Sequence, residues 1–461
     1  MNIRSLIGDR AFYRRVLAVM TPVLIQNVIT NFVSLLDNLM VGQVGTEPMS
    51  GVAIANQLIF VYNLCLFGAM AGPGIFTAQF YGCGDDEGIK HSFRAKLIVG
   101  ALSWGMFTLL FALRGETLIG LFLHEGQEAL DLQATLYHGK AYLRIMILQM
   151  LPFVMQQIYA STLRECGETM LPMKAGVIAV FVNLIFNYIL IFGKLGAPAL
   201  GVEGAAVATL ISRLVEFGII FVWAHRRHAR FPFLRTAYRS LHMPRALAKS
   251  MLKMGLPLLV NELLWSSGMT MLNQSYSLRG LEVVSAVNIS STISMLFFCA
   301  FFSMGTTVSI LIGQLLGAGE LERAVDEDRK LVAFAVALCA AVGVVMAFVS
   351  PLLPRLYNTT DHVKALAVQM LLVCAAMMPV NGYTNACYFT LRCGGKTMIT
   401  FLFDSAFVWA ICVPTAFVLS RMTNWPILPI YIAVNALDLV KCVVGFVLLR
   451  SRKWVNNLVA Q

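Results

Sequence analysis

The segment LRECGETM at residues 163–170 returns as LRCGGKTM at residues 391–398, 228 positions further along the chain. A second segment, QFYGCG at residues 79–84, returns as QLLGAG at residues 314–319 after 235 positions. Two repeated segments, in the same order and at nearly the same spacing, indicate that the chain consists of two halves built on one plan.

The segments that open the two halves also correspond. Residues 20–27 read MTPVLIQN and residues 255–262 read GLPLLVNE, again 235 positions apart. Each contains a proline, Pro22 or Pro257, which removes one helical hydrogen bond and permits a bend. We therefore expect these two segments to lie in equivalent helices.

The composition indicates a membrane protein. Of the 461 residues, 58% are hydrophobic and 13% are charged, whereas soluble domains average roughly 45–50% apolar and about 25% charged residues. The apolar residues form long blocks and do not alternate with polar ones, which is typical of transmembrane helices and not of barrel strands. The chain is therefore predicted to be an integral membrane protein.

Twelve apolar blocks have the length of about 20 residues that a helix needs to cross a bilayer. They lie at residues 14–40, 51–79, 93–113, 136–162, 171–193, 202–224, 250–277, 283–313, 330–354, 364–390, 398–420 and 427–449. Six blocks per half is an even number, so both halves enter the membrane in the same direction. We predict an all-α integral membrane fold of twelve transmembrane helices in two six-helix lobes, related by a pseudo-two-fold axis along the membrane normal.

The distribution of basic residues predicts the domains and the orientation. Residues 225–253 contain eight Lys and Arg and no acidic residue, and alternate connections together contain 25 of the 35 Lys and Arg residues. Because an excess of Lys and Arg marks the cytoplasmic side, both termini and this linker are expected in the cytoplasm. The predicted domains are an N-terminal lobe at 1–225, a basic linker at 226–249 and a C-terminal lobe at 250–461.

Several classes of protein are excluded by what the residues lack. The ten cysteines are scattered and show no spacing typical of a disulfide framework or a zinc site. The positive net charge does not indicate a nucleic-acid partner, because the basic residues lie between membrane spans. The repeated glycines are interpreted as helix-end residues, since neither QFYGCG nor QLLGAG follows a strand as a phosphate-binding loop would.

The segment NFVSLLDNLMVGQVG at residues 31–45 places an acid in the first apolar block. A carboxylate at the centre of a bilayer costs about 2.5–3.5 kcal/mol on insertion scales, so an intramembrane acid indicates a functional site. Asp37 follows Asn27, Asn31 and Ser34 at spacings that put them near one helix face. A proton and a cationic substrate would compete for this carboxylate, which predicts a coupling role.

The chain resembles the multidrug and toxic compound extrusion (MATE) transporters of prokaryotes. The resemblance covers nearly the whole sequence and is carried by DNLMVGQVG at 37–45, AQFYGCGD at 78–85, LRECGETMLPM at 163–173, NLIFNYIL at 183–190, GVEGAAVAT at 201–209 and GLPLLVNELLW at 255–265. It implies two six-helix lobes with a V-shaped cavity, and export of organic cations in exchange for H⁺ or Na⁺.

The resemblance also implies roles for individual residues. Asp37 matches the first-helix aspartate of the family, and Asn183 and Asn187 match the fifth-helix polar pair grouped with it. These three residues are therefore implied as the cation-coupling site, including a site for Na⁺. Glu262 matches a seventh-helix glutamate of one branch and is also implied as a cation-coupling residue, whereas the tenth-helix aspartate of that branch is Asn381 here.

Further polar residues within the blocks are expected to line a substrate cavity. They are Asn27, Asn31, Ser34, Gln57, Asn288, Asn381 and Asp404. Two charge pairs three residues apart, Arg213 with Glu216 and Asp438 with Lys441, are interpreted mainly as packing pairs.

The predicted function is an antiporter that exports organic cations across the plasma membrane of a prokaryotic cell. The expected partners are the lipid bilayer and small organic cations, with no cofactor apart from the coupling ion, and the protein is expected to be a monomer. The alternative within transport is a flippase for a lipid-linked or polyanionic substrate. A membrane enzyme is not expected, because no converging nucleophile, base or metal set occurs within the blocks.

Overall fold

The computed structural model describes residues 6–122, 131–227 and 229–460. Within these ranges, twelve long helices follow one another and no strand occurs. Their bounds are Arg10–Gly42 (α1), Thr46–Cys83 (α2), Asp86–Gly120 (α3), Leu132–Glu165 (α4), Met170–Phe192 (α5), Val202–Arg226 (α6), Arg245–Ser277 (α7), Leu281–Gly317 (α8), Leu321–Val349 (α9), Asp361–Cys393 (α10), Thr397–Met422 (α11) and Ile427–Arg450 (α12).

Each of the twelve helices overlaps one of the predicted apolar blocks. In the described part of the chain, ten helices are long and apolar enough to cross a membrane, and α4 and α7 have similar lengths with more polar residues. Large apolar side chains lie on the outside, such as Leu113, which is 70% exposed, and Phe348, which is 79% exposed. The outer surface therefore suits contact with lipid chains, and the predicted all-α membrane fold is confirmed.

The chain folds into two compact units. The N-terminal unit contains Ile25–Thr77 and Asp86–Met251, and the C-terminal unit contains Met1–Leu24, Ala78–Asp85 and Leu252–Gln461. The units follow packing and not chain order, because α1 and α2 each contribute one end to the C-terminal unit. The three domains predicted from the sequence stay a prediction.

Each unit is held together by its own helix pairs. In the N-terminal unit, α6 packs against both α4 and α5, and α3 packs against α4. In the C-terminal unit, α10 packs against α8, α9 and α12, around fully buried side chains such as Met346, Met370 and Met378. The first turns of α1 join this unit by burying Phe12 and Val16.

Within the C-terminal unit, the two copies of the Q-x-x-G segment cross each other. A Cβ atom placed on Gly82 of α2 would lie 2.0 Å from the carbonyl oxygen of Gln314, and one on Gly317 of α8 would lie 1.9 Å from that of Gln79. No side chain can be placed at those distances, so the two backbones touch only because both residues are glycines. We call this contact, formed by residues 79–82 and 314–317, the glycine crossing.

The C-terminal tail, residues 451–460, folds back onto the glycine crossing. The Gln79 side chain donates to the carbonyl oxygens of Cys393 at 3.0 Å and Asn456 at 3.3 Å, and accepts from the Leu458 amide at 2.7 Å. Trp454 is 1% exposed, and the Asn457 side chain donates to the carbonyl oxygen of Gly317 at 3.2 Å. The tail therefore fixes the ends of α2, α8 and α10 to one another.

Helix α11 departs from regular α-helical geometry in its middle. It is π-helical over Leu402–Ala406 and Val408–Cys412, between α-helical ends at Thr397–Phe401 and Val413–Met422. π-helical turns are rare and often occur at functional sites, because they redirect the side chains of one turn. The redirected turn carries Asp404.

We expect Gly82→Ala and Gly317→Ala each to lower the free energy of unfolding by about 1–3 kcal/mol, because the added methyl group must push two backbones apart. Gly218→Ala is the matched control, since a Cβ at this helical glycine would meet no atom within 4 Å. Thermal unfolding of the purified variants in detergent measures the difference. Equal melting temperatures for the three variants would contradict the close contact at the glycine crossing.

Candidate functional site

Asp37 lies in the N-terminal unit and is held by α5. The Asn187 side chain donates from Nδ2 to Asp37 Oδ1 at 2.6 Å. Asn187 is 1% exposed and Asn183, one helical turn earlier on the same face, is 7% exposed. The structure therefore brings together the three residues that the resemblance implied as a coupling site.

Asn183 completes the set of donors around the carboxylate. In the orientation that its neighbours favour, its amide nitrogen lies 2.9 Å from Oδ1 and 3.0 Å from Oδ2 of Asp37. The Oδ1 atom of Asn187 is buried and accepts no hydrogen bond from the described residues. Asp37 thus has two neutral donors and lies beside a buried carbonyl oxygen that lacks a partner.

A positively charged residue that acts electrostatically on Asp37 lies on α6. Arg213 acts electrostatically on the Asp37 carboxylate, while its Nη1 atom donates to Glu216 Oε2 at 2.8 Å. Glu216 is 2% exposed and also accepts from Gln156 Nε2 at 2.9 Å. Because Arg213 is shared with a buried glutamate, Asp37 is not permanently neutralised by its own ion pair.

This arrangement suits the binding of one small cation. A carboxylate with amide oxygens nearby supplies the hard oxygen ligands that Na⁺ takes, and the same carboxylate accepts a proton. In the described ranges, no group of three or more His, Cys, Asp and Glu residues could hold a metal ion. The carboxylate and amide oxygens of this site have the chemistry that suits Na⁺ or H⁺.

A second buried carboxylate lies in the C-terminal unit, on the π-helical turn of α11. Asn261 of α7 donates from Nδ2 to Asp404 Oδ2 at 3.1 Å and is itself 1% exposed. Its Oδ1 atom accepts from the Ser405 hydroxyl at 2.7 Å. The Asn261 amide thus joins α7 to α11 at the level of Asp404.

Two further groups surround this carboxylate. Lys441 of α12 places Nζ 3.7 Å from Asp404 Oδ1 and 3.4 Å from Asp438 Oδ1. The Tyr388 hydroxyl of α10 lies 3.3 Å from the Asn261 amide and 3.4 Å from Glu262 Oε1. Glu262 and Asp404 therefore belong to one polar cluster that involves α7, α10, α11 and α12, and the predicted Asp438–Lys441 pair includes Asp404 as a third member.

The internal repeat relates one part of this cluster to the N-terminal unit. Asn261 corresponds to Gln26 at the 235-residue spacing, and Asp404 corresponds to Gly176 at the 228-residue spacing. A Cβ on Gly176 would lie 2.8 Å from Gln26 Nε2. At this repeat-related place, an amide of α1 therefore meets a glycine of α5 in the first half, and an amide of α7 meets a carboxylate of α11 in the second half.

The remaining predicted cavity residues are dispersed. On α1, Asn27 and Asn31 are half-buried and Ser34 is exposed. Gln57 of α2 and Asn288 of α8 are exposed, and Asn381 of α10 is half-buried. Among the described residues, no hydrogen bond joins these last three to Asp37, Glu262 or Asp404, and their assignment to a substrate cavity stays a prediction.

Sequence reasoning missed two members of the C-terminal cluster, Asn261 and Tyr388, and the contact of Lys441 with Asp404. Asn261 directly precedes Glu262, and its position beside an intramembrane acid could have identified it as a site residue. Tyr388 is one aromatic residue among many in apolar blocks, and nothing in its local sequence distinguishes it. Lys441 was paired only with Asp438 because the contact with Asp404 joins two different helices.

A groove in the N-terminal unit lies apart from the coupling residues. It has a volume of about 540 Å³ and lies between the ends of α1 and α5, where Met40, Leu184 and Tyr188 contribute to an apolar lining. Because Tyr188 is 52% exposed, the groove faces outward and suits a lipid chain rather than an ion.

The chain is similar to known membrane transporters over most of its length. The family model described as MatE matches residues 22–189 and 257–420. The probable multidrug resistance protein NorM of Thermotoga maritima is 24% identical over 443 residues, covering 95% of this chain and 92% of that protein. The multidrug resistance protein MdtK of Pectobacterium atrosepticum is 24% identical over 412 residues, covering 88% and 87%.

A solved structure has the same fold. The outward-facing conformation of a multidrug resistance MATE family transporter of the MOP superfamily superposes with a TM-score of 0.86 at 20% identity. The superposition covers 98% of this chain and 97% of the other.

We expect Asn261→Leu to lower the free energy of unfolding by about 1–3 kcal/mol for each buried polar group left without a partner. The affected groups are Asp404 Oδ2 and the Ser405 backbone N–H, which donates to Asn261 Oδ1 at 3.3 Å. The Ser405 hydroxyl keeps its hydrogen bond to the Asn261 backbone carbonyl at 2.7 Å. Asn288→Leu, the same change at an exposed position of α8, is the control and should have little effect. Thermal unfolding in detergent compares the two, and equal stability would show that the Asn261 amide does not hold α11.

Proposed function

The chain belongs to the MatE family of multidrug and toxic compound extrusion transporters, and on this basis we propose that it is a secondary active antiporter. It exports organic cations from the cytoplasm in exchange for H⁺ or Na⁺. The observation that carries the proposal is the Asp37 carboxylate on α1, held by the two α5 amides beside the unpartnered Asn187 oxygen.

Exchange at Asp37 follows from competition for one negative charge. Burial disfavours a bare carboxylate, so the charge is met by a proton, by Na⁺ or by a cationic substrate. When the coupling ion arrives from outside, it neutralises Asp37 and the organic cation loses its counter-charge. When the coupling ion leaves toward the cytoplasm, the carboxylate again attracts cargo.

The driving force available to such a site is sufficient for concentrative export. Because one H⁺ or Na⁺ exchanges for one monovalent organic cation, no net charge crosses the membrane and the concentration gradient of the coupling ion drives export. A tenfold gradient of that ion supplies about 1.4 kcal/mol, which sustains a roughly tenfold gradient of the cargo. Asn183 and Asn187 hold the carboxylate in place in both charge states, because an amide can donate to a carboxylate and accept from a carboxylic acid.

We also propose a location and orientation for the chain. It lies in the plasma membrane of a prokaryotic cell as a monomer, with both termini and the basic linker in the cytoplasm. The positive-inside distribution of 25 of the 35 Lys and Arg residues supports this orientation.

The test is gradient-driven efflux by the purified protein in proteoliposomes, with ethidium as the fluorescent cation. A pH gradient and a Na⁺ gradient are imposed separately, and the gradient that drives ethidium movement identifies the coupling ion. If neither gradient moves ethidium or a second cation, tetraphenylphosphonium, the antiporter proposal is wrong.

We expect Asp37→Asn to lower gradient-driven efflux by about tenfold or more, because the variant cannot exchange its charge. The protein should still fold, since asparagine occupies nearly the same volume. Asp326→Asn is the matched control: Asp326 is an exposed acid of α9 whose partner is Lys330. Efflux at the wild-type rate in both variants would show that Asp37 is not needed for coupled transport.

A further inference from the structure

The ammonium group of Lys441 is held loosely between two acids inside the C-terminal unit. Lys441 is 8% exposed, and its Nζ atom lies 3.4 Å from Asp438 and 3.7 Å from Asp404. Close charge-assisted hydrogen bonds span about 2.7–2.9 Å, so neither carboxylate is tightly bound. The Phe407 ring lies on another side of the ammonium group, 5.1 Å from Nζ to the ring centre.

The cluster lacks one positive charge. Asp404 and Asp438 supply two negative charges and Lys441 supplies one positive charge, while the Asn261 amide on Asp404 is neutral. On the neighbouring helices, Glu262 interacts with both Arg392 and Asp404. Glu262 and Arg392 add one negative and one positive charge, so the sum for the cluster stays at one uncompensated negative charge. Because an uncompensated charge in a low-dielectric interior is costly, the cluster favours one additional cation.

A groove leads from the outer surface to this cluster. It has a volume of about 240 Å³, runs between α11 and α12, and has Lys441 as its only charged lining residue. Leu402, 57% exposed, and Val444, 42% exposed, lie at its open side. The Asp404 and Asp438 side chains do not line the groove, but they are 21% and 28% exposed and lie 3.7 and 3.4 Å from the Nζ atom of Lys441, which lines it.

The apolar groove, the two carboxylates and the Phe407 ring together suit the recognition of an amphipathic ammonium ion. The apolar groove accepts a hydrocarbon or aromatic body, and the carboxylates and the face of Phe407 accept a cationic head. The four-carbon chain and terminal ammonium of Lys441 have the same chemistry and already occupy this space. The π-helical geometry of α11 places Asp404 and Phe407 around the same ammonium group.

We propose that Asp404, Asp438 and Phe407 form a binding site for small amphipathic amines in the C-terminal unit, and that Lys441 occupies this site as a tethered competitor. An amine that enters along the groove displaces the Lys441 ammonium group or shares the carboxylates with it. The choice of an organic cation as ligand rests on the proposed function, whereas the site itself rests on the contacts of the C-terminal unit.

The test is equilibrium binding of radiolabelled phenethylamine to the purified protein in phosphatidylcholine nanodiscs at pH 7. Phenethylamine is a primary ammonium ion with one aromatic ring and matches the groove. We expect Lys441→Ala to bind it at least about tenfold more tightly than the unmodified chain, because the competitor is gone. Adding Asp404→Asn and Asp438→Asn to Lys441→Ala should abolish the gain.

Lys330→Ala is the matched control, since Lys330 is also paired with an acid, Asp326, in the same unit but lies outside the groove. An affinity of Lys441→Ala equal to that of the unmodified chain would overturn the proposal. A gain that survives both carboxylate substitutions, or that also appears in Lys330→Ala, would overturn it as well.

Two further variants keep Lys441 and test the binding site even if Lys441→Ala does not fold. Phe407→Leu and Asp438→Asn should each weaken phenethylamine binding by about threefold or more, and unchanged affinity in both would reject the site. Binding is measured without any ion gradient. A failure of coupled efflux therefore leaves this result standing, and absent binding leaves the Asp37 proposal intact.

Discussion

A carboxylate inside a membrane protein must be given donors by its neighbours, and this constraint determines how the polar interior of the molecule is arranged. Asp37 receives its donors from α5, and Asp404 receives them from α7 and α12. The partners come from other helices because the apolar surroundings offer no water to replace them. Each acid therefore joins helices together, and any change in its charge alters a contact between helices.

The two halves of the chain share a plan but place their charges differently. Asp37 corresponds by the repeat to Leu272, which is 6% exposed in the apolar core of the C-terminal unit. Asp404 corresponds to Gly176, and Glu262 corresponds to Asn27. In the first half, Asp37 lies on the first helix and its amide donors lie on the fifth. In the second half, Asn261 and Glu262 lie on the first helix and Asp404 lies on the fifth. Duplication thus preserved the positions where helices meet and changed the side chains that meet there.

Most of the fold was predictable, because long apolar blocks and repeated segments are local properties of the sequence. The twelve blocks, the repeat and the family resemblance depend on residue type and spacing alone, and the Asp37, Asn183 and Asn187 group followed from matching motifs. The contact of Lys441 with Asp404 was not predictable, since it joins residues 37 positions apart on two helices. The π-helical geometry of α11 and the burial of Trp454 were missed for the same reason: both are stabilised by packing that no local pattern encodes.

The contacts between Gln79 and the C-terminal tail determine when this part of the structure can form during synthesis of the chain. The partners of Gln79 are Cys393, Asn456 and Leu458, so the second membrane helix is made more than 300 residues before its contacts exist. Until these later residues have been made, the Gln79 side chain cannot form the three hydrogen bonds that it makes in the folded protein. The contact that joins α2, α8 and α10 is therefore completed only after residues 451–460 have been made.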